Sequence, residues 1–327
     1  MSTTNRAIWR GLYDKPRTVI LNRIERLSDV QFAYLMLLPS VLLLGTMALW
    51  PLIATFEMSL HADDLFAAGG IGQFVGLKHY TAVLSGQADD LLPRPFFDLH
   101  QPFTSALTVT LLFTVIAVAI ETVLGFGQAL ILNKSFRGRR WVRVALIFPW
   151  AVPIVIQGMI FLLMFQPSIG FAVEPLQQLG VISSAPLSDS ASVLFIVIIA
   201  DVWKQSAFMA LLILAGLQSI DRDLYKVGKV VGASKWQQFK TITFPLVLPA
   251  VLVALLFRTI AAMKVYGQVE TISNCNTLPT MSCLVVSTFN MGRYASAATI
   301  AFLTAAIIGV VLSVYIVQFA RMDRGGL

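Results

Sequence analysis

The sequence predicts an all-α integral membrane protein, a bundle of six transmembrane helices. Three observations carry this. The chain is 57% hydrophobic and only 13% charged, with a mean hydropathy of +0.78. Soluble domains average about 25% charged residues, so this little charge cannot coat a water-exposed surface. Six apolar runs, 32–58, 104–132, 141–165, 191–217, 242–263 and 297–320, are each long enough to cross the hydrocarbon, which takes about 20 residues. They are continuous rather than alternating with a period of two, which argues against a β-barrel. The cations lie in short segments between runs. The net charge of +7 and the pI near 9.6 therefore reflect membrane topology rather than binding to nucleic acid.

The first 30 residues hold Arg6, Arg10, Lys15, Arg17, Arg23 and Arg26 without an early apolar core, so they do not read as a cleavable signal. Residues 22–37, NRIERLSDVQFAYLML, mix charge and apolar side chains at helical spacing. They predict a helix along the inner interface ahead of the first span. For residues 1–20 a solvated basic leader is the alternative. Pro39 and Pro51 in the first span, and Pro149 and Pro153 in the third, predict kinks whose freed carbonyls need other donors.

Lys134, Arg137, Arg139, Arg140 and Arg143 lie between spans two and three. Arg222, Lys226, Lys229, Lys235 and Lys240 lie between spans four and five, and Arg321 and Arg324 follow span six. In a six-span chain these fall on the same side as the basic N-terminus. Asp63, Asp64, Asp89, Asp90, Asp98, Glu174, Asp189 and Glu270 fall on the other. The bias of cations toward the cytoplasm predicts both termini inside. Residues 1–31 are then a cytoplasmic N-terminal segment, 32–320 the six-span domain and 321–327 a cytoplasmic tail.

Several ionisable residues lie within the spans, where charge is costly and faces a bundle interior or a cavity. Glu121 is near the middle of span two, and Arg258 is in the outer half of span five. Asp201 and Lys204 are three apart in span four and share a helical face, so they are candidates to pair. These groups either line a solute pathway or join helices inside the bundle. Gln157, Trp203 and Tyr266, with Trp150, have the chemistry to bond or stack on a sugar ring, and Trp and Tyr equally serve as interfacial anchors. The three histidines, His61, His79 and His100, share one outer segment. They lack metal-ligand spacing and read as solvated loop residues. Cys275 and Cys283 both fall in an outer loop and are candidates for a disulfide.

Residues 221–249, DRDLYKVGKVVGASKWQQFKTITFPLVLP, are polar and basic between two apolar runs. Asp221 and Asp223 suit a helix N-terminus. Gly228 and Gly232 would share a face, and Gly232-Ala233-Ser234 marks a break before a second basic, aromatic helix. Pro245 and Pro249 then set the re-entry angle. The stretch reads as a helix–turn–helix on the inner membrane surface, either a docking element or a loop held by anionic lipid.

It resembles the EAA loop of ABC importer permeases. Gly232 matches the family glycine, Ile242 and Pro245 its tail, and Leu224-Tyr225 the residues before its Glu. The stretches 74–80, 121–153, 198–225 and 246–260 are similar to the sugar-uptake branch, which holds the maltose, trehalose and glycerol-3-phosphate permeases, and to its first-permease type. The resemblance implies that residues 221–241 form a coupling helix against a cytoplasmic ATPase subunit, in the inner membrane of a prokaryote. Partners would be a second permease, two ATPase subunits that bind ATP and Mg, and an extracytoplasmic sugar-binding protein. This chain would itself bind no cofactor. It carries no G-x-x-x-x-G-K-[ST] loop for ATP phosphates, so it is not expected to be an enzyme. A polyol or glycerol phosphate is an alternative solute, and a self-contained secondary transporter an alternative class.

The family pattern also differs here. Lys226 stands in place of its Glu, Val227-Gly228 of its Ala-Ala, and Val231 of a frequent acid. Ala261 and Gly267 stand where relatives carry acids. Lys226 reverses the sign of the usual contact, so docking is expected to rest on the shape of a Gly228–Gly232 face.

Overall fold

A computed structural model describes residues 28–66, 69–88, 92–98 and 100–324. Residues 1–27, Asp89, Asp90 and 325–327, which carry part of the terminal and charge-bias expectations, lie outside them. Among the described residues five helices are long and apolar enough to cross a membrane, and one bent pair makes a sixth. Two compact units are present, one ending at Glu57 and the other spanning Met58–Leu327.

In the first unit, α1 is Asp29–Leu44. It opens in a capping box, where Ser28 Oγ accepts from the Gln31 N–H and Gln31 Oε1 accepts from the Ser28 N–H. A π-helical turn, Gly45–Leu49, leads into α2, Trp50–Ser59. No residue of α1 is buried, as lipid-facing helices require. The expected interfacial helix over 22–37 is not separate in its described part: residues 29–37 run unbroken into the spanning helix.

The second unit begins with an antiparallel hairpin, β1 His61–Asp63 against β2 Ile71–Phe74, and α3, Lys78–Leu84. Here the histidine expectation needs correcting. His79 is buried on α3, and His61 meets Phe74 edge-on at 5.6 Å. Asp63 caps a distant helix, its Oδ1 accepting from the Ala295 and Ser296 N–H groups at 2.8 and 3.2 Å.

Helix α4 is Ala106–Asn133. Helices α5, Arg139–Ala151, and α6, Ile154–Phe165, meet at 93°. Short α7, Val173–Gln178, precedes α8, Ser190–Gln218, which is capped by the Asp189 carboxylate. Helix α9 is Arg222–Val230. Helix α10, Lys235–Gln238, passes through a π turn, Phe239–Thr243, into α11, Phe244–Met263. Helices α12, Gly267–Ile272, α13, Met281–Asn290, and α14, Tyr294–Arg324, complete the chain.

The kink expected in span three forms, whereas Pro51 and Pro245 are accommodated within continuous helices. A proline ring clashes with the carbonyl four residues back. Before Pro51 and Pro245 the helix widens, so that the Trp50 N–H reaches the Gly45 carbonyl and the Phe244 N–H the Phe239 carbonyl. An i→i−5 turn of this kind moves the clashing carbonyl aside. Lys235–Met263 is therefore one continuous rod, and the expected second surface helix is the foot of span five. Before Pro153 the chain instead turns extended, Val152 lying at ψ 128, and span three breaks.

Helices α4 and α8 form the centre. Val109, Phe113 and Ala117 pack on Val193, Ile196 and Val197. Gly125 lies so close to α8 that a Cβ there would come within 2.5 Å of Met209 Cβ, the small-residue contact of membrane helices. At the N-terminal end of α8, Ser273 Oγ donates to the Leu187 carbonyl and Ser190 Oγ to the Thr277 carbonyl, each at 2.7 Å. Between these ties Cys275 and Cys283 are joined by a disulfide. Reduction of this short loop is expected to lower stability by about 2–3 kcal/mol. Thermal unfolding with and without reductant checks this, and an unchanged midpoint refutes it.

Candidate functional site

Helix α4 carries Glu121, α8 carries Asp201 and α11 carries Arg258. All three are buried, at 0%, 4% and 2% exposure. Arg258 Nε donates to Glu121 Oε2, and its Nη2 donates to Asp201 Oδ2 and, at 3.0 Å, to Glu121 Oε1. One planar guanidinium thus holds two carboxylates from two other helices, a geometry that a lysine could not reproduce.

The expected pairing of Asp201 with Lys204 is not the one the structure forms. Arg258 enters from α11 and takes Asp201. Lys204 Nζ donates to the Val152 carbonyl, at the break between α5 and α6. The helix ladder leaves that carbonyl unpaired at the extended residue, and in a low-dielectric setting such a group requires a donor. The cluster holds two carboxylates and two cations, so its formal charge balances.

Beside it lies a cavity of about 150 Å3. Among its lining residues are Gln157, Asp201, Lys204, Arg258 and Tyr266, five of the residues singled out above. Glu121 and Trp203 do not line it. Glu121 sits behind Arg258, and Trp203 packs on Phe161 with ring centroids 6.0 Å apart. Gln157 is fully buried and its Nε2 donates to the Ala200 carbonyl at 2.5 Å, which ties α6 to α8. Its Oε1 has no partner.

Three polar lining residues escaped sequence reasoning: Gln205, Lys264 and Gln268. Lys264 lies just past the apolar run and reads as loop. The two glutamines are uncharged and give no signal without the cavity. Lys264 and Tyr266 also line a second cavity, about 350 Å3, with Ser282, Val286, Thr304 and Ile308. This pair stands between an apolar chamber and a polar one.

Helix α9 joins α8 to the foot of α11. Asp221 Oδ1 accepts from the Asp223 N–H at 2.9 Å. The other end closes in a Schellman turn, with Ala233 N–H to the Gly228 carbonyl and Gly232 N–H to that of Lys229. Gly232 has φ +82, which glycine adopts without penalty. Tyr225 Oη lies 3.0 Å from Thr243 Oγ1. A Cβ on Gly228 would meet Gln238 and Ile242 at 3.4 Å.

The Gly228–Gly232 docking face therefore needs correcting. Gly228 is turned toward its own chain, against Gln238 and Ile242 at the foot of span five, and Gly232 makes the turn. The open face of α9 is apolar instead: Val227, Val230 and Val231 are 61%, 87% and 79% exposed. Lys226 is exposed and bonds Asp223 at 2.6 Å. Ala233 follows the turn, and Ser234 caps α10.

Residues 121–324 match the family described as the binding-protein-dependent transport system inner membrane component. The trehalose/maltose transport system permease protein MalF of Thermococcus litoralis is 36% identical, covering 84% of this chain and 89% of its own. The trehalose transport system permease protein SugA of Mycobacterium tuberculosis is 29% identical over 94% and 95%. A crystal structure of a bacterial alginate ABC transporter, in complex with an alginate pentasaccharide-bound periplasmic protein, superposes with a TM-score of 0.69. It covers 87% of this chain and 92% of its own at 20% identity, which shows a shared fold. With the family match spanning more than half its length, this chain belongs to the inner membrane components of binding-protein-dependent transport systems.

Proposed function

We propose that the chain is one of two different permease subunits of an ATP-driven carbohydrate importer. The names of its relatives support a sugar as solute, with a polyol or glycerol phosphate as the second choice. In this reading both termini and the cationic segments are cytoplasmic. Residues 32–320 are the permease domain, between a cytoplasmic segment at 1–31 and a tail at 321–327. An extracytoplasmic binding protein delivers the sugar, and two ATPase subunits hold ATP and Mg.

One observation carries the mechanism: α9 links the two helices that supply the cavity's charges and is clamped to one of them. Its chain neighbour α8 bears Asp201 and Lys204. Tyr225 and Gly228 lock α9 onto the foot of α11, which bears Arg258. A force on the open valines of α9 moves α11 as a continuous rod. Lys264 and Tyr266, just past the C-terminal end of α11, then shift between the two cavities. Lys264 Nζ and the Tyr266 hydroxyl supply donors for sugar hydroxyls, and the Tyr266 ring an apolar face.

Co-purification tests the reading. An ATPase subunit should travel with this chain from its native membrane, whereas transport by the reconstituted chain alone would establish a self-contained carrier. Lys226→Glu is expected to leave solute-stimulated ATP hydrolysis within about twofold, because exposed pairs contribute only ~0.2–1 kcal/mol. Complete loss of that activity would assign the docking contact to Lys226.

A further inference from the structure

The segment between spans two and three has no role in the mechanism above, yet it is the densest cationic stretch in the described chain. Lys134, Arg137, Arg139, Arg140 and Arg143 fall within ten residues, and no acid occurs between Glu121 and Glu174. Among the described residues none of these cations pairs with a carboxylate. Arg139 and Arg143 are one helical turn apart at the start of α5. The Nε of each is buried and without a hydrogen-bond partner. The Nη atoms of both arginines are neither hydrogen-bonded nor among the buried unpaired atoms, so two open guanidinium edges on one helix face suit an anion.

The rest of α5 indicates what carries that anion. Val142 and Leu146 pack on the α4–α8 cluster of Ala129, Leu132, Ile213 and Leu217. Another part of the same helix is open and apolar, with Trp141, Val144 and Phe148 exposed at 76%, 55% and 63%. The helix therefore offers cations at one end, and along its length an apolar face of the kind that lies at a lipid boundary. A soluble phosphate would satisfy the arginines but leave that face uncovered.

We propose that Arg139 and Arg143 form a binding site for the phosphate of an anionic phospholipid, whose acyl chains cover Trp141, Val144 and Phe148. Arginine forks match phosphate oxygens bidentately, and basic pockets at the membrane face bind acidic headgroups. The site holds the break between α5 and α6 near the inner leaflet, in the orientation proposed above. Lipid choice itself is tested independently of any solute or ATPase.

The test uses the purified importer complex in detergent, with thermal unfolding read as short-chain lipid is added. Dioctanoyl phosphatidylglycerol is expected to raise the midpoint, with phosphatidylcholine of equal chain length giving a much smaller shift. In Arg139→Gln/Arg143→Gln the apparent affinity for phosphatidylglycerol should fall on the order of tenfold or more. The single variants should give intermediate losses, which keeps the test decisive if the double variant folds poorly. Equal shifts by the two lipids overturn the proposal. So does an unchanged response in both single variants, or full competition by millimolar inorganic phosphate, which would mean a free-anion site. Protection of a Trp141→Cys thiol from lipid-phase reagent by the second permease would assign the face to protein instead, and would also overturn it.

Discussion

Arg258→Met is expected to cost about 3–5 kcal/mol of stability, because it strands the Glu121 and Asp201 carboxylates inside the bundle. The side chain is 2% exposed, so water cannot replace the lost donors. Removing the two carboxylates as well should recover most of the loss. The triple variant Glu121→Leu, Asp201→Leu, Arg258→Met leaves no stranded carboxylate, keeps Lys204 at the cavity on the Val152 carbonyl, and is expected to lie within about 1–2 kcal/mol of the parent. Denaturant unfolding in detergent compares the three forms. A single variant as stable as the parent would show that the cluster contributes nothing. A triple variant as unstable as the single one would show that its value lies in packing rather than charge. Arg258→Lys should also be destabilised, since an ammonium cannot bridge two carboxylates as a fork does.

Serine at Val227, Val230 and Val231 together is expected to abolish coupling while leaving the permease folded. Buried against a partner, each valine contributes roughly 1.5 kcal/mol. Losing three weakens docking by about 4 kcal/mol, on the order of a thousandfold in affinity. Their exposure leaves few contacts within this chain, so the effect on its own stability should be small. Solute-stimulated ATP hydrolysis and retention of the ATPase on the purified permease are the measurements. Full retention with full activity would sink the docking role and favour a loop held by lipid. Gly228→Leu offers a second route to the same joint. It should leave the valines in place but force α9 away from Gln238 and Ile242, so that the ATPase still binds and transport fails.

The spans were legible because apolar length is a local property. The runs at 104–132 and 191–217 return as Ala106–Asn133 and Ser190–Gln218, shifted only at their capped ends. The ionisable residues within the spans were also legible, since charge in an apolar run stands out. Their partners were not. Helical spacing brings Asp201 and Lys204 together on paper, but spacing describes one helix, and Arg258 reaches Asp201 from another. The same limit applies to Gly228. A glycine pair four apart marks a thin face without saying which neighbour fills it, and here it is residues 238 and 242 of the same chain.

Composition and pattern by themselves determined that this protein crosses a membrane with six apolar segments, and which of its charges must be accounted for inside. Only the tertiary structure decided which charge meets which, that span three breaks at Val152–Pro153 while span five passes Pro245 unbroken, and that valines rather than glycines face outward on α9. The physical reason is the same in each case. Burial depends on the residue and its near neighbours, whereas pairing depends on which helices pack together, and that is settled by the whole bundle.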